Sequence, residues 1–334
     1  MLKTLKDIAV SGRKVLLRAD LDVPLQGGRI GEDYRLEALL PTLRYLLDQK
    51  ARVLIIGHAG RPNGRPEPNL SLKPIANWLS SELEKKVEFI PNYEPPVVDY
   101  KVALLENLRF WPGEERNDSD FAQRLAALAD LYVNDSFAAA HRAHASIVGI
   151  PKYLPAAAGE RLAQEVTELG GVLENPARPL VFILGGAKTE TKSPLVSAFS
   201  RIADKILLGG LLMFDQGLEG IPRVIFPVDA VETFDIGPKS VAKFSQILKG
   251  AKTVVWNGPL GKWEESRFAA GTRALAEELA ALSARTIVGG GDTIAALSAF
   301  GLLDKMSYVS LGGGAMLEFL AGKKLPGLRA LGYH

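Results

Sequence analysis

Short, unbroken apolar runs recur along this chain, each followed by a turn and then by a stretch of helical period. In the first half they are KVLLR (14–18), ARVLIIG (51–57), VEFI (87–90), VALL (102–105) and LYV (131–133). In the second half they are LVFIL (180–184), KILLG (205–209), RVIF (223–226), TVVW (253–256), RTIVG (285–289) and YVSL (308–311). A strand with one wet face alternates apolar and polar residues. Continuous runs predict strands buried on both faces of a parallel sheet. Between them, RLEALLPTLRYLLDQK carries leucines at 36, 39, 40, 43, 46 and 47, a helical stripe in which Pro41 marks a start or a kink. Strand, turn and helix in repetition give the α/β class, with doubly wound parallel sheets and ligands at the carboxyl ends of the strands.

The 334 residues are enough for two such lobes, each with its own core. Prolines at 151, 155, 176 and 179 bracket one helical segment, as a connector between lobes requires. The chain has no cysteine, which excludes disulfides and thiolate metal sites and points to a reducing, cytoplasmic setting. Its opening, MLKTLKDIAVSGRK, lacks the apolar core of a signal peptide, and ILLGGLLMF is too short to cross a bilayer, so no membrane partner is expected. A formal net charge of +2 gives no footprint for nucleic acid. Residues 1–150 hold 20 Lys+Arg and 20 Asp+Glu, so an anion site there must be built from chosen side chains.

Two sets of residues point to chemistry. In LVFILGGAKTETK the strand runs into Gly185-Gly186. If a helix follows, Lys188 and Lys192 share one face at i and i+4. Such a pair is either two solvated lysines or a seat for a polyphosphate near exposed backbone amides. Gly209-Gly210, GGGDT (289–293) and LGGGAM (311–316) close three further strands, all expected on one sheet edge. Neither the Walker spacing nor a G-x-G-x-x-G after the first strand is present, which argues against a P-loop kinase and a dinucleotide fold. Asp292 either holds Mg²⁺ on phosphates or caps a helix. In the first half, Arg18, His58, Arg61, Arg109, His141, Arg142 and His144 each follow a strand, and together they describe a cup for a compact phosphorylated acid.

Ten ordered segments carry a resemblance: RADLDVP, EDYRLEALLPTLRYLL, GHAGRP, LLENLRF, GEERND, VNDSFAAAHRAHAS, LGGAKTETK, WNGPLGKWE, GGGDT and GGGAMLEFLAGKKLPGLRAL. From about residue 10 to 331 the chain resembles the phosphoglycerate kinase family. The resemblance implies a substrate lobe over 1–157, a connecting helix over 158–178, a nucleotide lobe over 179–315 and a tail over 316–334 returning to the first lobe. Two lobes facing across a cleft and closing about a hinge are part of that implication. So is the reaction, reversible transfer of a phosphoryl group between 1,3-bisphosphoglycerate and MgADP to give 3-phosphoglycerate and MgATP. A monomer acting only on small molecules is the family expectation.

Carried over position by position, the resemblance puts Asp20, Leu21, Asp22, Arg35, His58, Ala59, Gly60, Arg61, Arg109 and Arg142 around the glycerate. Arg35 approaches the transferring group, with Lys192, Gly313 and Gly314 as the other catalytic positions and Gly312 opening the same helix. Gly185, Gly186, Lys188, Lys192, Gly209, Gly210, Asn257, Pro259, Glu264, Gly290, Gly291, Asp292 and Thr293 line the nucleotide. Within that set Glu264 meets the ribose and Asp292 the magnesium.

The chain departs from the family's pattern in places. It is several dozen residues shorter, with the gap after LLGGLLMF and an abbreviated segment before DIGPKS, which puts base preference in question. Asp22 stands where the family has asparagine, and the added carboxylate predicts repulsion toward an anionic substrate or recruitment of a cation. AAAHRAH lacks the usual glycine and threonine, and Leu311 replaces a threonine. A non-catalytic nucleotide-binding relative is the competing reading.

Overall fold

Every apolar run named above becomes a strand, with no end shifted by more than one residue. The protein, seen here as a computed structural model, is described over residues 2–26, 28–93 and 100–334. It divides into two compact units: residues up to Val166 together with Lys324–His334, and Thr167–Lys323.

The first unit is built on a six-stranded sheet in the spatial order Glu88–Ile90, Val102–Leu105, Arg52–Ile56, Lys14–Arg18, Leu131–Asn134, Ala156–Ala158. The second has the order Val224–Ile225, Lys205–Leu208, Leu180–Leu184, Thr253–Asn257, Arg285–Gly289, Tyr308–Ser310. All neighbours in both sheets are parallel. The central strands are buried along their length, as in Leu180–Leu184 and Thr253–Asn257, which is why their sequences do not alternate. Each fully buried Val, Leu, Ile or Phe there contributes roughly 1.5–3 kcal/mol.

Register decides where the sites lie. Arg18 pairs with Ile56 on one side and Asn134 on the other, so three strands of the first sheet end level. Asn257 is level with Leu184 and Gly289 in the second. The winding direction changes between Lys14–Arg18 and Leu131–Asn134 in the first sheet and between Leu180–Leu184 and Thr253–Asn257 in the second, the switch points at which ligands collect in such sheets.

The leucine stripe forms two helices, Tyr34–Glu37 and Leu40–Asp48, with Pro41 in the first turn of the second, where its missing N–H is harmless. Helix Glu160–Glu174 runs from the first unit into the second. Its N-terminal amides are capped from afar: Glu160 N donates to Thr42 Oγ1 at 2.9 Å and Leu162 N to Asp135 Oδ1 at 3.0 Å. The edge strand Ala156–Ala158 was not foreseen, since alanine carries little strand preference. Pairing with Tyr132–Asn134 holds it in place. Two small antiparallel hairpins, Leu25–Gln26 with Arg29–Ile30 and Ala230–Val231 with Asp235–Ile236, were also unforeseen. Helix Pro326–Ala330 belongs to the first unit, with Leu325, Leu328 and Leu331 buried and Gly327 N donating to Ala140 O at 2.8 Å.

Candidate active site

In the first unit Arg18, His58, Arg109, Arg142 and His144 lie close enough to feel one another's charge, but the cationic residues are not equivalent. Arg18 is wholly buried and fully engaged: Nε donates to Ser146 Oγ at 2.9 Å, Nη1 to Ala19 O, and Nη2 contacts His58 Nδ1 at 2.8 Å. It is therefore not an open fork of the cup, because it is wholly buried and each of its three nitrogens already meets a protein group. Arg109 is buried too, donating to Gly60 O at 2.7 Å and pairing with Glu115 at 3.1 Å. Arg61 is exposed and Arg142 half-buried. Arg35 forms an ion pair with Asp20, and that carboxylate holds the guanidinium protonated more firmly than usual. Leu21 and Ala59 point their side chains into the core, and Ala59 O accepts from Asn107 Nδ2 at 2.8 Å.

Asp22 has a structural task that the sequence did not disclose. Its Oδ1 accepts the Gly60 amide at 2.8 Å, tying the strand-end loop to the same Gly60 whose carbonyl holds Arg109. Its charge also falls on Arg109. Burial lowers the affinity of Arg109 for its proton, and the neighbouring Arg142 and Arg18 add to that effect. His144 is pushed down to about 4 by burial first and then by Arg109, Arg142 and Arg18. Crowded cations of this kind are the electrostatic signature of a seat for an anion. Among the residues that sequence reasoning missed are Glu114 and Ser146, whose carboxylate and hydroxyl support Arg18 from below. Nothing in GEERND marks Glu114 as buried.

In the second unit the expected helix starts at Thr189, so Lys188 is its cap, at φ −90° and ψ 76°, and not a member of its face. This corrects the expectation of a matched lysine pair. Lys188 is exposed, whereas Lys192 is buried and donates to Gly185 O at 2.6 Å and Asn257 O at 3.3 Å. Burial pushes Lys192 down to about 8, with Asp292 opposing that shift and Lys188 adding to it.

The glycine clusters also differ from expectation in what they do. The amides of Gly185, Gly186 and Gly210 are not exposed but donate to Asn257, Pro259 and Leu260 carbonyls. Three strand-end turns are thereby laced together, and a Cβ at Gly185 would collide with the Pro259 carbonyl. Gly209 continues its strand, with its amide on Leu184 O. Thr293 Oγ1 accepts from Gly258 N at 2.7 Å, and Asn257 is buried with its amide against the Met316 sulfur. Gly290 caps helix Gly291–Ala299, and Gly313, at φ 51°, caps Gly314–Leu320.

A pocket of about 340 Å³ opens beside these turns. Of the expected residues, Gly186, Gly210, Pro259, Glu264 and Asp292 line it. Ala187, Leu211, Thr233, Phe234, Gly261 and Lys262 also line it and were missed. Phe234 is 43 % exposed and Leu211 45 %, giving the pocket an apolar surface, with the Lys262 ammonium 5.9 Å from the Phe234 ring centroid and the carboxylates of Glu264 and Asp292 also in the lining. Glycine clusters at strand ends signalled Gly186, Gly210 and Asp292, and the family resemblance added Pro259 and Glu264. The aromatic wall follows a segment with no such mark.

A family model described as phosphoglycerate kinase matches residues 5–216 and 222–323. The chain belongs to the phosphoglycerate kinase family. It is 40 % identical to the phosphoglycerate kinase of Pseudothermotoga lettingae and 40 % identical to that of Moorella thermoacetica, with 98 % of each chain covered. Among solved structures, the phosphoglycerate kinase of Pyrococcus horikoshii superposes with a TM-score of 0.89 at 30 % identity, covering 100 % of this chain and 99 % of the other. The phosphoglycerate kinase of Coxiella burnetii gives 0.86 at 37 %, covering 99 % of both.

The alignment with the P. lettingae enzyme spans 388 positions against 334 residues here, so at least 54 of its positions have no counterpart in this chain. The family match itself breaks at 217–221, just after Phe214, which stands 49 % exposed.

Proposed function

We propose that this chain catalyses reversible phosphoryl transfer between 1,3-bisphosphoglycerate and ADP, with the phosphoglycerate on the first unit and the nucleotide on the second. The observation that carries this reading is the family match across both units, with an anion cup and a pocket each at a sheet's carboxyl edge. A non-catalytic relative is not favoured, because the cationic cup is intact and the matching relatives bear an enzyme's name.

The chemistry suits these residues. A carboxylate leaves an acyl phosphate without help from an acid, so the protein's task is positioning and charge stabilisation of a loose in-line transition state. Arg61, Arg109 and Arg142 would grip the phosphate that stays, while Arg35, once released from Asp20, would meet the one that moves. Lys192 would neutralise it from the nucleotide side, with Gly313 and Gly314 at a helix start. The pocket would take the nucleoside, with Glu264 on the ribose.

Magnesium fits as a partner of the nucleotide phosphates. Among the described residues no three carboxylates or imidazoles gather into a cation cage. Asp292 and Glu264 are the two carboxylates lining the pocket, and with Glu264 given to the ribose, Asp292 alone is left for the metal, the sparse donor set Mg²⁺ takes when phosphates and waters complete its shell. When bound it would neutralise charge on the nucleotide phosphates, held on the protein side by Asp292. No helix is long and apolar enough to cross a membrane among the described residues. We read the protein as a cytoplasmic monomer.

The test is a coupled assay with 3-phosphoglycerate and MgATP, repeated with MgGTP. Turnover with MgATP is the expected result, and equal turnover with both nucleotides would mean that the shortened unit does not select the base. Folded protein that binds MgATP but turns over neither nucleotide would overturn the enzymatic reading.

A further inference from the structure

We propose that Arg18, through a buried chain running from Glu114 and Ser146, locks His58 as a neutral imidazole carrying its proton on Nε2, so that His58 serves the phosphate cup as a hydrogen-bond donor and not as a cation. The logic starts from what each group is able to do. A guanidinium only donates, so His58 Nδ1, 2.8 Å from Arg18 Nη2, must present its lone pair. The ring proton of a neutral imidazole is then on Nε2, and no second proton can be added at Nδ1 without breaking that contact.

Arg18 has no freedom to turn away. Its Nε is on Ser146 Oγ at 2.9 Å and its Nη1 on Ala19 O. The Ser146 hydroxyl, having accepted from Arg18, donates to Glu114 Oε1 at 2.6 Å, and its amide donates to Glu114 Oε2 at 2.9 Å. Every donor in the chain thus has one direction. Arg18, Ser146 and Glu114 are wholly buried, and His58 is 6 % exposed.

The surroundings oppose an imidazolium from every side. Arg18 comes from strand Lys14–Arg18, Arg109 from the turn Leu108–Phe110, and Arg142 and His144 from the segment before Ala145–Gly149. Burial comes first, and these charges add to it, in holding His58 well below the usual histidine range. Glu114, from Pro112–Glu115, is the one carboxylate in the chain, and it is committed to Ser146. Its Oε1 stands 3.9 Å from His144 Nδ1. In the cup, charge would come from the arginines and directional donation from His58. Arg18 is a positioning residue, acting through His58. A change of pH between 5 and 8 would leave this donor untouched.

The experiment has two arms, and only the second rests on reading the cup as the phosphate site. Long-range ¹H–¹⁵N spectra of ¹⁵N-histidine protein without substrate, assigned by replacing each of the four histidines in turn, report tautomer and charge directly. The expected result is an Nε2–H tautomer for His58 that does not titrate between pH 5 and 8. An Nδ1–H tautomer, or titration within that range, would overturn the proposal whatever the enzyme does. In the second arm, Arg18→Lys retains charge, but its single nitrogen cannot reach the three partners that three guanidinium nitrogens now hold. It should raise KM for 3-phosphoglycerate at least about tenfold, the worth of a hydrogen bond to a charged group. KM for MgATP should stay within about twofold, since that substrate meets the other unit. Equal rises in both KM values, or no rise in the first, would remove the positioning role. Wild-type protein without turnover would sink the functional reading and leave the tautomer standing.

Discussion

Lys192 combines burial, two carbonyl contacts and a proton affinity lowered to about 8, so its charge is sensitive to conditions in which surface lysines are inert. As pH rises through about 8 the ammonium is lost, and with it the charge facing the phosphoryl group. The expected alkaline limb of kcat/KM for the nucleotide has an apparent pKa near 8, moving upward in kcat because bound phosphate favours the ammonium. Lys192→Ala should lower kcat by ~10²–10³, the usual loss on removing one charge-stabilising donor. Near-normal turnover would contradict the assigned role. At the pocket wall, Phe234 packs on Phe268 with centroids 4.9 Å apart while nearly half its surface stays open. A base laid on that face would cover it. Phe234→Ala is expected to weaken ATP binding by about 1–3 kcal/mol, the range for aromatic–base stacking, with tripolyphosphate inhibition unchanged. Equal weakening of both ligands would place the base elsewhere. Neither residue's environment is legible in sequence: Lys192 and Lys188 read alike, and only folding buries one of them.

Elements show a sharper division. Helix Ser119–Ala126 announces itself, because Asp118 precedes it and caps Phe121 N at 2.8 Å. Helix Glu160–Glu174 has no such local cap and depends on Thr42 and Asp135, whose contacts span 118 and 27 residues of sequence respectively. Burial pushes Asp135 up to about 6. Since the folded state then holds this proton more tightly than the unfolded chain, the contribution is fully present below the unfolded value near 3.8 and is lost as pH rises through about 6. Asp135→Asn keeps the acceptor and removes the titration. Denaturation at pH 4 to 7 should show wild type losing stability relative to the variant, on the order of 3 kcal/mol across that window. Parallel curves would show that Asp135 does not titrate there. The glycine turns illustrate the same division: their places at strand ends were legible, but their lacing of one turn to another was not, since the partners lie on other strands.

At the scale of the whole molecule, the first unit is completed by residues from the far end of the chain. Leu325, Leu328 and Leu331 are buried in it. Deleting 324–334 should destabilise that unit by about 5 kcal/mol or more, from the lost burial of three leucines. Calorimetry is expected to show its transition shifted down and that of Thr167–Lys323 unmoved. A shift in both transitions would mean that the units do not unfold independently. By itself the sequence determined the class, the parallel sheets and the edge on which ligands gather, because a run of apolar residues and the turn after it are local facts. The ordered motifs likewise pointed to the family. Tertiary structure decided which charges are free and which are spent, that Arg18 serves His58, that Asp22 holds Gly60, and that Lys192 faces inward. Those outcomes follow from desolvation and from partners distant in sequence, and neither is written in any local stretch of the chain.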